Sequence, residues 1–106
     1  MFAIRHASVV IADTVLEDGT VFIADGRVQA VGDSTLTVPN GAHVRDATGL
    51  ILAPGFLDLQ VNGGFGLDFT ADPTTIWDVA AHLPRYGVTG FLPTVITSPP
   101  ETVRQA

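Results

Sequence analysis

Two neutral amides, Gln60 and Asn62, stand two residues apart in residues 56–62, whose apolar composition is typical of a strand. Alternate side chains of a strand share a face, so Asp58, Gln60 and Asn62 are predicted to point the same way. Two histidines at this spacing would chelate a metal ion, whereas a neutral amide is a poor zinc ligand. The amides could instead line a pocket and hold a polar substrate or a metal-bound water. They could also only satisfy backbone groups near the strand end, the usual role of buried polar side chains.

Gly63 and Gly64 follow the amides and allow two interpretations. Consecutive glycines let a backbone approach a ligand with its N–H groups exposed, but more often they simply form a turn. The sequence NGGFG lacks the spacing of GxGxxG and the Lys–Ser/Thr ending of a P-loop. The histidines His6, His43 and His82 are scattered, and no His-x-His, HExxH or Ser/His/Asp signature is evident. The candidate pocket-lining residues are therefore Gln60, Asn62, Gly63 and Gly64.

The composition argues against several classes of protein. The chain is 46% hydrophobic and 15% charged, which argues against intrinsic disorder, and its net charge is −6. It has no Lys/Arg cluster, so nucleic-acid binding is not expected. It has no cysteine, which excludes disulfides and thiolate metal sites. The absence of cysteine is typical of a cytoplasmic protein, which is the location that we expect. We see no signal-peptide pattern and no apolar run of the roughly 18 residues that a membrane helix needs, so no membrane contact is expected.

The first half of the chain has the pattern of a small antiparallel sheet or sandwich. Asp25–Gly26 separates two β-rich runs and predicts a hairpin with a type I′ turn, in which both central residues need positive φ. Residues 33–39 are expected to form a loop, with room for a short edge strand at residues 36–38. The two runs of this hairpin are residues 21–24 and 27–31, and further strands are predicted at residues 2–5, 8–12 and 43–46.

The second half alternates strands with helices. Asp72 is a predicted helix N-cap with Pro73 at the first helical position, and Gly87 is expected to end the helix. Pro84 removes an N–H group from that helix, so an irregular last turn is predicted. The strand that follows is expected to bulge or end near Pro93, because proline cannot donate to a ladder.

A second helix is predicted to open with a capping box formed by Ser98 and Glu101, with Pro99 at the first helical position. The order strand, helix, strand, helix indicates a βαβ unit and a parallel sheet. Parallel sheets need further strands and cover on both faces, so we expect these 106 residues to be the front part of a larger protein. A compact α+β domain of this size is the alternative.

Three stretches resemble a known family. Residues 52–69, LAPGFLDLQVNGGFGLDF, resemble the first barrel strand of the N-acetylglucosamine-6-phosphate deacetylase family. Residues 87–101, GVTGFLPTVITSPPE, resemble its second barrel strand and the turn that follows. Residues 21–32, VFIADGRVQAVG, are similar to a hairpin of the small β-domain found across the amidohydrolase superfamily. The resemblance implies an α/β fold, with the start of a metal-dependent hydrolase (β/α)8 barrel in residues 53–106 and part of a small β-sandwich domain in residues 1–52.

The same resemblance implies a function. The family hydrolyses the acetamide of N-acetylglucosamine 6-phosphate to glucosamine 6-phosphate and acetate. Some members carry His-x-His and look binuclear, whereas this chain resembles the branch with Gln-x-Asn and one divalent metal ion, zinc or similar. By this resemblance Gln60 approaches a metal-bound water, with Asn62 beside it. The metal ligands, the catalytic base and a phosphate-binding arginine are implied to lie beyond Ala106, so this chain holds no catalytic residue and no metal ligand. We expect it to be inactive alone, and the full-length protein to be a homodimer that binds an amino-sugar phosphate.

Two alternatives remain open. Another metal-dependent amidohydrolase, such as a cyclic-amide hydrolase, is one, although such enzymes usually carry His-x-His where this chain has Gln60–Val61–Asn62. The other is a stand-alone, non-catalytic β-rich module that serves binding or structure.

Overall fold

The computed structural model describes residues 1–106, and the chain divides into two units, Met1–Pro54 and Gly55–Ala106. Most of the regular structure is strand, and the short helices lie in the second unit, so the fold is mixed α/β. These residues contain no (β/α)8 barrel, because parallel pairing in the second unit is limited to two strands. None of the helices has the length and apolar character needed to span a membrane.

The first unit is a five-stranded sheet. Its strands are β1 (Phe2–Ile11), β2 (Thr14–Ala24), β3 (Arg27–Gly32), β4 (His43–Asp46) and β5 (Ile51–Leu52). The sheet has the order β3-β2-β1-β4, and β5 also pairs with β1. β2 is antiparallel to both of its neighbours, whereas β4 and β5 run parallel to β1. The expectation of an antiparallel sheet is therefore wrong for β4 and β5, because β3 already runs in the direction of β1 and the connection returns the chain before β4 begins.

Local turn chemistry in this unit follows the sequence closely. Asp25 and Gly26 have φ values of 54° and 71°, so the predicted hairpin between β2 and β3 is confirmed. The runs predicted at residues 2–5 and 8–12 are joined into the single strand β1, which is irregular around His6 at φ 63°. A buried cluster of small and β-branched residues forms the core of the sheet: Ala7, Val9, Val21 and Ala47.

The edge strand considered at residues 36–38 does not form. The Leu36 N–H group donates to the carbonyl of Asp33 at 3.1 Å, which closes a turn. The Arg5 guanidinium then donates to the Leu36 carbonyl at 2.8 Å. The segment is therefore held to the sheet by a side chain and not by a ladder.

The second unit contains a parallel pair, a small hairpin and two helices. Its elements are β6 (Phe56–Val61), β7 (Gly63–Gly64), β8 (Leu67–Asp68), α1 (Ile76–His82), β9 (Val88–Pro93) and α2 (Pro100–Gln105). β6 pairs parallel with β9, and β7 pairs antiparallel with β8. Gly63 and Gly64 therefore form a strand of a hairpin and are not themselves its turn. Val61, Phe69 and Val79 form the buried core of this unit.

The predicted helix signals hold for α1 and fail for α2. The Asp72 side chain accepts from the Thr74 N–H group, and Pro73 opens a 3₁₀ turn that leads into α1. Pro84 lies in a second 3₁₀ turn, and Gly87 ends it at φ 80°. The capping box predicted at the start of α2 is wrong: the N-cap position is occupied by a proline, with no side-chain hydrogen bond. β9 ends at Pro93, as expected from the missing N–H group.

Candidate functional site

The residues that the sequence singles out line one open hollow of about 530 Å³ in the second unit. They are Gln60, Asn62, Gly63 and Gly64. Asp58, which lies two residues before Gln60 on β6, borders the same hollow. The structure thus brings the whole candidate set together, while the role of each residue in binding stays a prediction.

Strand β6 departs from regular pairing just where the amides begin. The register shifts so that Asp58 lies opposite Phe91, and Val61 lies opposite Pro93. Between them, the Gln60 N–H group donates to the Asp58 carboxylate at 3.0 Å. The Asp58 side chain is therefore turned back onto its own strand. Strict alternation of faces does not hold here, because Val61 borders the hollow as well.

The side-chain amides of Gln60 and Asn62 have no hydrogen-bond partner within the chain. The backbone around them is satisfied by other groups: the Asn62 carbonyl accepts from the Phe69 N–H group at 3.0 Å, and the Val61 carbonyl accepts from the Thr94 N–H group at 2.8 Å. The interpretation in which the amides only satisfy the strand end is therefore not supported. Both amides keep their donors and acceptors for water or for a ligand.

Gly63 and Gly64 differ in whether the structure leaves space for a side chain. A Cβ atom at Gly63 would overlap the Leu67 carbonyl oxygen, because β7 and β8 approach closely there. At Gly64 a Cβ atom would meet only a Val79 methyl group, at the ordinary contact distance of 3.7 Å. Gly63 is thus explained by the hairpin itself. Gly64 has space around it and lines the hollow, so the interpretation in which its backbone approaches a ligand remains a prediction.

Sequence reasoning missed an aromatic and aliphatic wall of the hollow. It is formed by Phe65 at the tip of the β7–β8 hairpin and by Leu83 and Tyr86 in the turn after α1. The Phe65 ring lies 4.9 Å from the ring of His82 and 5.8 Å from the ring of Tyr86, measured between centroids. Gly66, which follows Phe65 in the sequence, is the signal that could have marked a turn there.

The carboxylates with lowered pKa values lie outside the hollow. In three Asp-x-Thr turns the threonine hydroxyl and the threonine N–H group both donate to the aspartate carboxylate. Both bonds lower the pKa of that carboxyl group, and the hydroxyl bond contributes more. These turns are Asp33–Thr35, Asp46–Thr48 and Asp72–Thr74. At Asp18 a hydrogen bond with the His6 ring, 2.7 Å away, is the main cause of a lowered pKa. These groups stabilise turns and strand irregularities, and they are not gathered into a reactive cluster.

The donors of this chain do not fit a metal ion. No group of three or more His, Cys, Asp or Glu side chains is placed so that it could hold one. In the hollow, Asp58 already accepts a backbone N–H group, and Gln60 and Asn62 offer only neutral amide oxygens. A metal ion in a longer protein would need ligands from outside these residues.

Comparison with known proteins gives matches both to protein sequences and to solved structures. No protein-family model matches the chain. N-acetylglucosamine-6-phosphate deacetylase of Rattus norvegicus is 52% identical over 61 residues, which are 54% of this chain and 15% of the rat protein. The crystal structure of the same enzyme from Pasteurella multocida is 31% identical with a TM-score of 0.87, covering 99% of this chain and 28% of that chain.

A third match is a mutant of the Mycobacterium smegmatis deacetylase in complex with N-acetyl-D-glucosamine-6-phosphate. It is 29% identical with a TM-score of 0.78, over 98% of this chain and 27% of that chain. These matches define the class: over its described residues the chain shares the fold of the matched part of these amidohydrolase-type deacetylases, and it spans less than a third of the relatives that it matches. Within that class it is similar to N-acetylglucosamine-6-phosphate deacetylases, so the resemblance expected from the sequence is confirmed.

Proposed function

We propose that this chain is the N-terminal part of a metal-dependent deacetylase that hydrolyses N-acetylglucosamine 6-phosphate to glucosamine 6-phosphate and acetate. The observation that carries the proposal is the match to the Pasteurella multocida enzyme over 99% of the chain, at a TM-score of 0.87. The Mycobacterium smegmatis relative, which holds this sugar phosphate, supports the choice of substrate.

Exposed apolar strands in the second unit support a larger assembly of strands. Phe56, Leu57 and Leu59 of β6 are each more than 70% exposed, and Leu92 of β9 is 56% exposed. Strands of parallel sheets are normally buried on both faces by crossover helices and by further strands. We therefore assign β6 and β9 to the first two strands of a (β/α)8 barrel, whose remaining strands lie in a longer polypeptide.

The first unit supports the same proposal independently. One face of its sheet has an apolar hollow of about 410 Å³. Its lining includes Ile4, Val9, Val21, Ile23 and Leu52. A sheet face of this kind is usually packed against a second layer, as in a β-sandwich. Residues 1–52 would then form part of a small sandwich domain.

Within this proposal, Gln60 and Asn62 bind the sugar phosphate and fix its orientation. Their unpaired amides can donate to and accept from polar atoms of the sugar phosphate, or hold a water beside it. Gly64 lets the backbone of β7 approach the ligand. The base, the metal ligands and the groups that bind the phosphate belong to residues outside this chain. A divalent metal ion, a homodimer and a cytoplasmic location stay predictions for the longer protein.

The test is an acetate-release assay on N-acetylglucosamine 6-phosphate with the longer protein and with the 106-residue chain. The longer protein is expected to release acetate, and the chain alone is not. Gln60→Ala and Asn62→Ala should each lower kcat/KM by roughly tenfold, the effect of about one lost hydrogen bond to a polar ligand.

The matched control is Gln29→Ala, which removes an exposed amide that donates to the Ala24 carbonyl in the first unit. It should leave kcat/KM unchanged. The proposal is wrong if the longer protein leaves the acetamide intact, or if the 106 residues suffice for turnover.

A further inference from the structure

Phe65 occupies a turn position that is unfavourable for its side chain. It is the first central residue of the β7–β8 hairpin, with φ 57°, and Gly66 follows at φ 83°. Positive φ is uncommon for residues other than glycine, asparagine and aspartate, and it is an outlier for a bulky side chain. Formation of the turn therefore does not explain why a phenylalanine stands there.

The ring of Phe65 is nevertheless held in place. It packs against His82, the last residue of α1, and against Tyr86 in the following turn, with tilts of 39° and 31° between ring planes. Tilted aromatic pairs at these distances are favourable. Phe65 remains 50% exposed and Tyr86 67% exposed, so much of this aromatic surface is open.

The open part of this surface borders the hollow that contains the amides. Phe65, Leu83 and Tyr86 contribute aromatic and aliphatic lining, while Gln60 and Asn62 contribute hydrogen-bonding groups. Ligand sites typically combine such an apolar wall with a few polar groups that fix orientation. A ligand with one C–H face and a rim of hydroxyl groups is complementary to this combination.

We infer that Phe65 is a specificity-determining residue, whose ring takes the apolar C–H face of an amino-sugar ring bound beside Gln60 and Asn62. This inference deepens the proposed function and rests on it for the identity of the sugar. No covalent step is involved: Phe65 contributes contact area, and the amides fix the orientation. The strain at the turn and the exposure of a fixed ring are then consequences of one requirement, an aromatic surface facing the hollow.

The test measures the binding of N-acetylglucosamine 6-phosphate to the longer protein without metal, by calorimetry and by saturation transfer to the sugar C–H protons in NMR. Phe65→Ala and Phe65→Leu should each raise Kd roughly tenfold, because leucine keeps volume but has no aromatic face. Phe65→Trp should keep Kd within about threefold and retain saturation transfer. With metal added, KM should rise for the alanine and leucine variants while kcat changes little, as expected for lost uniform binding.

The control is Trp77→Ala, which removes an aromatic side chain of α1 that is 78% exposed and does not border the hollow. It should leave Kd unchanged. Circular dichroism is used to check that each variant is folded. If Phe65→Ala does not fold, the Kd of Phe65→Leu tests the inference.

The outcomes separate this inference from the proposed function. If the parent binds and deacetylates the sugar phosphate but Phe65→Leu binds it equally well, the inference is wrong and the proposed function stands. If the parent binds the sugar with the expected dependence on Phe65 but releases no acetate, the inference stands and the proposed function is wrong. If the parent does not bind the sugar at all, both are wrong.

Discussion

Two hairpins of this molecule use the same turn geometry with different first residues. In the first unit Asp25–Gly26 connects β2 to β3, and in the second unit Phe65–Gly66 connects β7 to β8. Both central residues have positive φ in both turns. Aspartate tolerates the left-handed region and is common in such turns, whereas phenylalanine is not.

The difference separates a turn selected for folding from a turn that also carries a functional group. The Asp25–Gly26 turn joins two longer strands, and neither residue lines the hollow that contains the amides. The Phe65–Gly66 turn joins two strands of two residues each and places its ring on the wall of the candidate site. Backbone strain that persists at such a place is a reason to suspect function.

The largest effect that tests this comparison is expected at the strand position two residues before each turn. That position is Ile23 in the first hairpin and Gly63 in the second, and only the second forbids a side chain. Gly63→Ala should lower the free energy of unfolding by about 3 kcal/mol or more, because its Cβ atom would overlap the Leu67 carbonyl oxygen.

Gly64→Ala is the matched control for this change. Its Cβ atom would make an ordinary contact with Val79, so the free energy of unfolding should change by less than about 1 kcal/mol. Urea denaturation of both variants measures the difference. Equal losses in the two variants would show that the hairpin does not close as described.

A smaller change in the free energy of unfolding is expected when the first central residue of each turn is replaced by a residue like that of the other turn. Asp25→Phe should lower the free energy of unfolding by about 1 kcal/mol, because it introduces into the first turn the strain present in the second. Phe65→Asn should stay within about 1 kcal/mol of the parent, because relief of the backbone offsets aromatic contacts worth roughly 0.5–1.5 kcal/mol. A loss well above 2 kcal/mol in Phe65→Asn would mean that the ring is mainly structural, and would weaken its assignment to the ligand.

The sequence predicted those features that depend on neighbouring residues. The Asp25–Gly26 hairpin, the Asp72 cap, the Gly87 stop and the strand end at Pro93 each follow from the chemistry of one or two residues. For the same reason the two amides could be singled out, since their spacing on a strand is a local property.

Features that depend on distant residues were not predicted. β4 and β5 pair parallel with a strand about 40 residues earlier, and no local pattern fixes that direction. The wall formed by Phe65, Leu83 and Tyr86 exists only because α1 and the turn after it pack beside the β7–β8 hairpin. The difference between Gly63, which the hairpin requires, and Gly64, which has space for a side chain, likewise depends on the position of the Leu67 carbonyl in β8.

The smallest expected effect concerns acid, and it acts on both units. Asp33 and Asp46 in the first unit and Asp72 in the second have folded-state pKa values below the ordinary value of 3.8, because threonine donors favour the charged form. Between the folded-state pKa and pH 3.8 the unfolded chain therefore binds more protons than the folded chain. The stabilisation is fully present above pH 3.8 and is lost as the pH falls through the lower folded-state pKa.

Asp72→Asn isolates one of these turns at the start of α1. The variant should be less stable than the parent at pH 6, and the gap should narrow as the pH falls toward 2, because the parent carboxylate then becomes protonated and loses its preference for the turn. Urea denaturation across this pH range gives the gap directly, with Asp25→Asn, whose side chain makes no such threonine contact, as the control. A gap for Asp72→Asn that is constant with pH would mean that the charge of Asp72 contributes nothing to the turn.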